Sequence, residues 1–256
     1  MATIAAPATR PLVSRFYVTM AVIFVAIAFG GFFETYWLQL ARGTFVKASP
    51  LLHVHGLLFS FWTLFFLSQA MLVSNRKLRS HRSWGLLGIS LATAMVFTGL
   101  AVAIEGLQAR LLAGYGDTAR AFTIVPVSAI VLFAGFFAAA IVNVRRPEWH
   151  KRLNLVATTA LLQAAVARFF FVAATGGGPG LRPGLGPPPP LPVTMMAGAV
   201  TTSLIVAAMV HDWRSHGRVH PAYWWGFGIT LVSLLSRPIV AHSSAWLGIA
   251  NFLAAF

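Results

Sequence analysis

The amino-acid sequence predicts an all-α integral membrane protein, a bundle of seven transmembrane helices. Of its 256 residues, 58% are hydrophobic and 9% are charged, whereas a soluble domain carries about 25% charged residues. Only five residues are Asp or Glu, too few to solvate the surface of a chain of this size. The apolar residues also fall into long runs, and a helix needs roughly 20 of them to cross a bilayer.

The seven predicted spans follow these apolar runs, and together they make residues 17–241 a transmembrane bundle. Their bounds are 17–40, 52–74, 84–108, 121–143, 153–174, 193–211 and 221–241. We expect 1–16 to be a cytoplasmic tail and 242–256 to lie at the membrane interface, with Trp246 as its anchor. Segment 176–190 is Gly or Pro at twelve of its fifteen positions, which predicts a non-helical outer loop.

The distribution of Lys and Arg predicts the orientation of the bundle. Twelve of the 19 basic residues lie in the N-terminal tail and in the connections on its side, and five lie in the other connections. Because basic loops stay in the cytoplasm, we expect the N-terminus inside and the C-terminus outside, in a bacterial inner membrane. The net charge of +14 then reflects topology and membrane lipids as partners, not nucleic acid. The absence of Cys excludes disulfides and thiolate chemistry.

A weak internal repeat groups the helices. His81, His150 and His220 open the third, fifth and seventh predicted helices, at spacings of 69 and 70 residues. The pattern predicts one leading helix followed by three helical hairpins. The three histidines would share one membrane level and form an alternative, inner metal site, since imidazole is a common ligand of zinc, copper and iron. A structural role at helix starts explains the same pattern.

Several short segments resemble a known family. They are HVHGLLFSFW, SHRSWGLLG, RPEWHKRLNLVAT, AVARFF and GRVHPAYWWG. They are similar to an uncharacterised family of predicted bacterial multipass membrane proteins in which a basic loop ends in a His-Arg-x-x-Gly helix start. The likeness covers most of residues 20–250, although Ser83-Trp84 replaces the Arg-Leu of that pattern. It implies the fold and the topology, and no activity.

A group of polar residues in the outer third of the bundle predicts an intramembrane pocket that faces the periplasm. Charged side chains inside a membrane are rare and mark functional sites. Thr230 and Ser233 lie on the same face of a predicted helix as Arg237, and Asn154 and Thr158 lie on the same face as Arg168. The group comprises Glu34, Glu105, Arg168 and Arg237, with His53, His55 and His242 at the same level.

Three functions remain open for this pocket. The favoured one is a redox centre, with haem b or a transition metal held by the outer histidines and the two arginines beside haem propionates or a quinone head group. The second is a transporter or receptor for a small anionic or amphipathic molecule. The third is an accessory subunit, in which Glu and Arg form buried pairs that fix packing. In each case we expect Arg168 to contact Glu34, Glu105 or a ligand, and Arg237 to take a second such partner.

The sequence carries no motif that decides whether the chain is an enzyme. It has no H-E-x-x-H, G-x-S-x-G or Walker loop, and the seventh predicted helix lacks the Lys that a retinal protein needs. The middle of the predicted spans is almost purely apolar, which argues against a proton pump with a central carboxylate. The oligomeric state is also left open.

The topology can be tested with reporter fusions. A reporter joined after residue 80 or after residue 148 should be active in the cytoplasm, because these connections carry the basic excess. A reporter inserted within 180–190 should be active in the periplasm. The reverse pattern would invert the placement of every residue discussed above.

Overall fold

A computed structural model describes residues 15–46, 48–180 and 186–256, which form helices and their connections and no strand. Seven helices are long and apolar enough to cross a membrane, by length and composition. The prediction of a multipass membrane protein is therefore confirmed. The spans are α1 (Phe16–Ala41), α2 (Pro50–Ser74), α3 (Leu78–Leu112), α4 (Gly116–Val142), α5 (Pro147–Thr175), α6 (Leu191–His216) and α7 (Pro221–Ala241), and a shorter helix, α8 (Ser244–Ala254), follows them.

Most spans extend beyond the apolar runs that predicted them. Helix α3 begins six residues before position 84, and α5 begins at Pro147 instead of 153. Hydropathy detects only the part of a helix that suits hydrocarbon, whereas the helix continues through polar turns until a local signal stops it. At Pro147 that signal is a first-turn proline, and at Gly217, with φ +69°, it is a left-handed C-terminal residue.

The connections divide between two ends of the bundle. The basic end holds residue 15 and the connections 75–77, 143–146 and 217–220. The opposite end holds 42–46, 48–49, 113–115, 176–180, 186–190 and 242–243. Helices α2 and α3, α4 and α5, and α6 and α7 pack along each other in pairs joined at the basic end. The three hairpins thus exist as packed pairs, while their repeat relationship and the side of the membrane that each end faces remain predictions.

Each of the seven spans contributes a buried side chain to one continuous core. Trp62 lies at the centre, with its ring edge-on to Phe133 at 5.1 Å between centroids. Since lipid tails are as apolar as these side chains, close packing, not water exclusion, holds such helices together. The fully or almost fully buried members include Phe24, Trp62, Met95, Phe133, Leu155, Ile205 and Tyr223.

Helices α1 and α5 approach so closely that only glycine fits between them. A Cβ atom on Gly31 would lie 2.3 Å from the carbonyl oxygen of Ala165. Small residues allow this kind of backbone contact between membrane helices. Shortly after Gly31, α1 passes through a π-helical turn, Phe33–Trp37. The contact between Gly31 and Ala165 therefore positions this irregular end of α1 against α5.

The C-terminal tail forms the short helix α8 (Ser244–Ala254), which packs on the bundle. Trp246 is 7% exposed and packs against Ala121, Ile124 and Ala241, while the placement of 242–256 at the membrane interface remains a prediction. Its Nε1 donates a hydrogen bond to the backbone oxygen of Arg120 at 2.9 Å. Trp246 therefore fastens α8 to the start of α4, because a buried indole N–H needs an acceptor and finds one there.

The Gly/Pro-rich segment has no helix in its described parts, 176–180 and 186–190. Lys47 and Arg182, both counted with the outer connections, lie outside the described residues, as does most of the N-terminal tail. Arg110, counted in the same way, is buried near the end of α3, and its Nε donates to the backbone oxygen of Gly186 at 3.4 Å.

The close contact at Gly31 can be tested by adding one methyl group. Gly31→Ala should lower the free energy of unfolding in detergent by about 1–3 kcal/mol, because α1 and α5 must move apart. Gly135→Ala is the matched control, since no atom lies within 4 Å of the added Cβ. That change should leave stability unaltered or raise it by up to about 1 kcal/mol. Equal losses in the two variants would contradict the close approach.

Candidate functional site

Arg237 lies one turn before the end of α7 and is buried, with 3% of its surface exposed. Its partners come from the two neighbouring helices. Nη1 donates to the hydroxyl oxygen of Thr194 at 3.3 Å, and Nη2 donates to Oε1 of Gln163 at 3.2 Å. The Gln163 amide is held in this orientation because its Nε2 donates to the Thr194 carbonyl at 3.0 Å. Neutral acceptors from α5 and α6 thus hold the guanidinium.

Local features of the two helices place these acceptors. In α5 the turn tightens at Leu162, whose N–H donates to the oxygen of Thr159 at 3.1 Å, three residues back instead of four. Gln163 follows immediately. Thr194 lies in the first turn of α6, where unpaired peptide N–H groups give a helix a positive end. The guanidinium therefore lies beside a second source of positive potential.

A small cavity lies next to Arg237, between α4, α5, α6 and α7. Its volume of about 20 Å³ exceeds the roughly 10–15 Å³ that one water molecule occupies. Two hydrogen-bond donors in its wall, Arg237 Nε and the Thr230 hydroxyl, have no acceptor among the described residues. The other polar residues that line it are Thr159, Gln163, Thr201, Thr202 and Ser233.

No carboxylate neutralises this site. The chain contains five Asp and Glu residues, all within the described part, and none lies within ion-pairing distance of Arg237. Their neighbours are elsewhere: Glu148 and Asp212 bind Arg152, Asp117 binds Arg120, Glu105 accepts from Ser49, and Glu34 lies beside Gly177. Since arginine keeps its proton in proteins, Arg237 is a buried cation with neutral partners.

Arg168 does not form the expected contact with Glu34 or Glu105. Its guanidinium carbon lies 4.5 Å above the centre of the Phe32 ring, and Nη1 donates to the oxygen of Ala164 at 3.3 Å. The described residues show no ion pair at this arginine. A cation–π contact and a backbone carbonyl of its own helix hold the charge instead.

The two outer glutamates also have neutral surroundings. Oε2 of Glu105 accepts a hydrogen bond from the Ser49 hydroxyl at 2.6 Å, and Ser49 in turn caps α2 through its Oγ. Glu34 belongs to the π-helical turn of α1. These residues organise the connection between α1 and α2 and do not share a partner with Arg237.

The three outer histidines contact different neighbours. Nδ1 of His53 lies 3.0 Å from the Tyr36 hydroxyl, and His55 packs on Phe59 with 4.1 Å between ring centroids. His242 is exposed at the end of α7. Within the described ranges no three His, Cys, Asp or Glu side chains form a group that could hold a metal ion.

Two of the three inner histidines are neighbours. The rings of His81 and His150 lie edge to face with centroids 6.3 Å apart, and Nδ1 of His150 lies 2.9 Å from the Ala140 oxygen. His220 contacts Trp149 instead and caps α7, where its Nδ1 accepts from the N–H of Ala222 at 3.1 Å. Burial lowers the pKa of His220, and the nearby Arg152 lowers it further, which favours the neutral imidazole that this acceptor role requires.

The strongest electrostatic feature of the basic end is a network around Arg152. Arg152 and Asp212 are each 2% exposed, and Nε and Nη2 of the arginine bind the two carboxylate oxygens. Nη1 binds both the side chain and the backbone oxygen of Glu148. Asp212 also accepts from the N–H of His220 at 3.0 Å. The network therefore joins α5, α6 and the start of α7.

The sequence indicated part of the Arg237 site and missed the rest. Thr230, Ser233 and Arg237 were placed on one stripe of the seventh helix, and all three line the cavity. Gln163, Thr194, Thr201 and Thr202 were missed, and the expected purely apolar centre contains these neutral polar groups. The only sequence signal for these residues is that polar side chains recur at helical spacing. The mean hydropathy of a span does not show this pattern.

The Arg152 network can be tested with two Asp→Asn variants. Asp212→Asn removes one charge from a buried pair and should lower the free energy of unfolding by about 3–5 kcal/mol. Asp117→Asn is the control, because its side chain is 78% exposed and pairs with Arg120 on the surface; it should cost less than about 1 kcal/mol. Denaturant unfolding in the same detergent gives both values. A small effect at Asp212 would mean that Glu148 alone compensates Arg152.

Comparison with protein-family models, with curated proteins and with solved structures finds no match for this chain. The resemblance to the family with His-Arg-x-x-Gly helix starts therefore remains a prediction. What the structure supports is a helical membrane protein with seven spans.

Proposed function

We propose that this chain is a membrane transporter for a small inorganic anion, which binds beside Arg237. The observation that carries the proposal is a buried arginine without a carboxylate partner, next to a cavity with two unused hydrogen-bond donors. The sequence left open a transporter or receptor for a small anionic or amphipathic molecule. The proposal specifies where that molecule binds and how large it is.

The energetic argument rests on the charge of Arg237. Burying an ion still costs several kcal/mol after the protein relaxes, and the hydroxyl and amide oxygens that hold it supply only partial negative charge. A water molecule in the cavity would satisfy the donors but not the charge. A bound anion does both, because charge-assisted hydrogen bonds from Arg237 Nε and the Thr230 hydroxyl are stronger than neutral ones.

The cavity limits the size of the anion. A volume of about 20 Å³ accommodates one particle of the size of a water molecule, which suits a halide and excludes a phosphate or a dicarboxylate. The site lies toward the end of the bundle opposite the basic end, since Arg237 is close to the end of α7 and Thr194 is in the first turn of α6. We place the movement that opens it at the tightened turn of α5 at Leu162, because such turns within a span accompany binding sites in transporters.

The redox alternative receives less support. A haem or metal centre held by His53, His55 and His242 with Arg168 and Arg237 needs these residues around one ligand. Their neighbours are different: Tyr36 for His53, Phe59 for His55, Phe32 for Arg168, and Gln163 and Thr194 for Arg237. The accessory-subunit alternative makes a clear opposite prediction, namely that small anions have no effect on the protein.

Anion binding can be measured by thermal unfolding of the purified protein in detergent, with chloride replacing gluconate at constant ionic strength. A ligand that binds only the folded state raises the melting temperature as its concentration rises. The wild type should show this rise, and Arg237→Gln should abolish it. Arg145→Gln removes an exposed arginine and should behave as the wild type.

A second variant keeps the test valid if Arg237→Gln fails to fold. Thr230→Val preserves the shape of the side chain and removes one unused donor, so chloride should bind more weakly by about 1.5–3 kcal/mol. Thr93→Val is its control, because Thr93 is exposed on α3. Chloride efflux from proteoliposomes should fall in parallel with binding. Equal responses of wild type and Arg237→Gln to chloride would contradict the proposal.

A further inference from the structure

An apolar groove lies on the outside of the bundle at the basic end, between α6 and α7. Its volume is about 370 Å³ and no polar atom contributes to its surface. Trp213 and Trp224 border it and are 60% and 58% exposed. The remaining wall comes from both helices and includes Val206, Val210, Val219 and Phe227. This size falls within the range of about 300–1,000 Å³ that is usual for ligand pockets.

The groove ends at a cationic connection. Arg214 and Arg218 are exposed, and neither forms an ion pair among the described residues. His216 lies 3.5 Å from Asp212, but that carboxylate is already bound to Arg152. The connection between α6 and α7 therefore presents positive charge directly beside an apolar surface.

The tryptophans indicate where the groove lies relative to the lipid. Trp side chains are enriched where the hydrocarbon of a bilayer meets the head groups. Trp213 lies in the last turn of α6 and Trp224 in the first turn of α7, so both are next to the connection 217–220. Hence the groove lies at the depth of the acyl chains and the two arginines lie at the depth of the phosphates.

We propose that this groove is a binding site for an anionic phospholipid. One acyl chain occupies the apolar groove, and the phosphate lies between Arg214 and Arg218. Basic pockets between membrane helices recognise anionic head groups in this way. A neutral lipid fills the groove equally well but gains nothing from the arginines, so the head group decides the selectivity.

A second copy of the chain suits the surface less well. A protein partner that covered the groove would need carboxylates to face the arginines. Of the five in the chain, the exposed ones, Asp117 and Glu148, are already paired with basic residues on their own helices. The two glutamates without an ion pair, Glu34 and Glu105, are half-buried toward the opposite end. A second copy in the same orientation therefore brings no spare carboxylate to the groove, whereas an anionic lipid brings its own negative charge.

Native mass spectrometry of the purified protein with equal amounts of dioleoyl-phosphatidylglycerol and dioleoyl-phosphatidylcholine tests the site. The wild type should bind the anionic lipid preferentially. The double variant Arg214→Gln/Arg218→Gln should lose roughly fivefold of that preference for each arginine removed. Arg145→Gln/Arg146→Gln is the matched control, because it removes two exposed arginines from another connection at the same end, and its preference should persist.

A variant of the groove separates the acyl chain from the head group. Val206→Trp fills the groove and should lower the binding of both lipids without changing their ratio. The proposal is independent of the anion site, so Arg237→Gln should keep the lipid preference. Equal binding of both lipids to the wild type, or an unchanged preference in Arg214→Gln/Arg218→Gln, would overturn it. A dimer that forms only when the groove holds no lipid would also overturn the proposal, because the groove would then be the binding surface for a second copy.

Discussion

The ion pair between Arg152 and Asp212 is the interaction on which the arrangement of the bundle depends. The chain has 19 basic residues and only five acidic ones, and Arg152 binds two of those five, Asp212 and Glu148. Because Asp212 also holds the N–H of His220, one carboxylate fixes α5, α6 and the entry to α7 together. Removing either partner would leave a buried charge uncompensated, which is far more costly than losing a surface pair.

Two of the five carboxylates, Glu148 and Asp212, bind Arg152 at the basic end, and the other three lie toward the opposite end. Helices α5, α6 and α7 meet again at the opposite end, around Arg237, but none of the three carboxylates there lies within ion-pairing distance of this arginine. Hydrogen bonds that Arg237 donates to Gln163 and Thr194 replace the ion pair, and a cavity remains between the helices. The same three helices are thus joined by strong charge pairing at one end and by weaker neutral contacts at the other, which is where a bundle can open without losing its assembly.

The sequence predicted the seven spans because hydropathy reports directly on the solvent of each helix. It could not predict the polar site to the same extent, since threonine and glutamine carry no charge and occur on many helix surfaces. Whether Gln163 faces Arg237 depends on the tightened turn at Leu162 and on α5, α6 and α7 being neighbours, and both are properties of the folded bundle. Trp246 gives a similar case: the residue type suggested a membrane anchor, and its packing against α4 could not be read from the sequence.

The contrast between two arginines explains why we propose the anion site at Arg237. Both are buried wholly or in part within spans, and neither has a carboxylate among the described residues. Arg168 lies over the face of Phe32 and uses a carbonyl of its own helix, and aromatic faces attract cations most strongly when water is excluded. Arg237 has no such face, keeps one N–H without an acceptor, and borders a cavity. An aromatic ring stabilises a charge within the protein, whereas unused donors in a cavity need an acceptor that enters it. Beside a guanidinium, an anion supplies both the acceptor and the missing negative charge, which is the basis of our proposal.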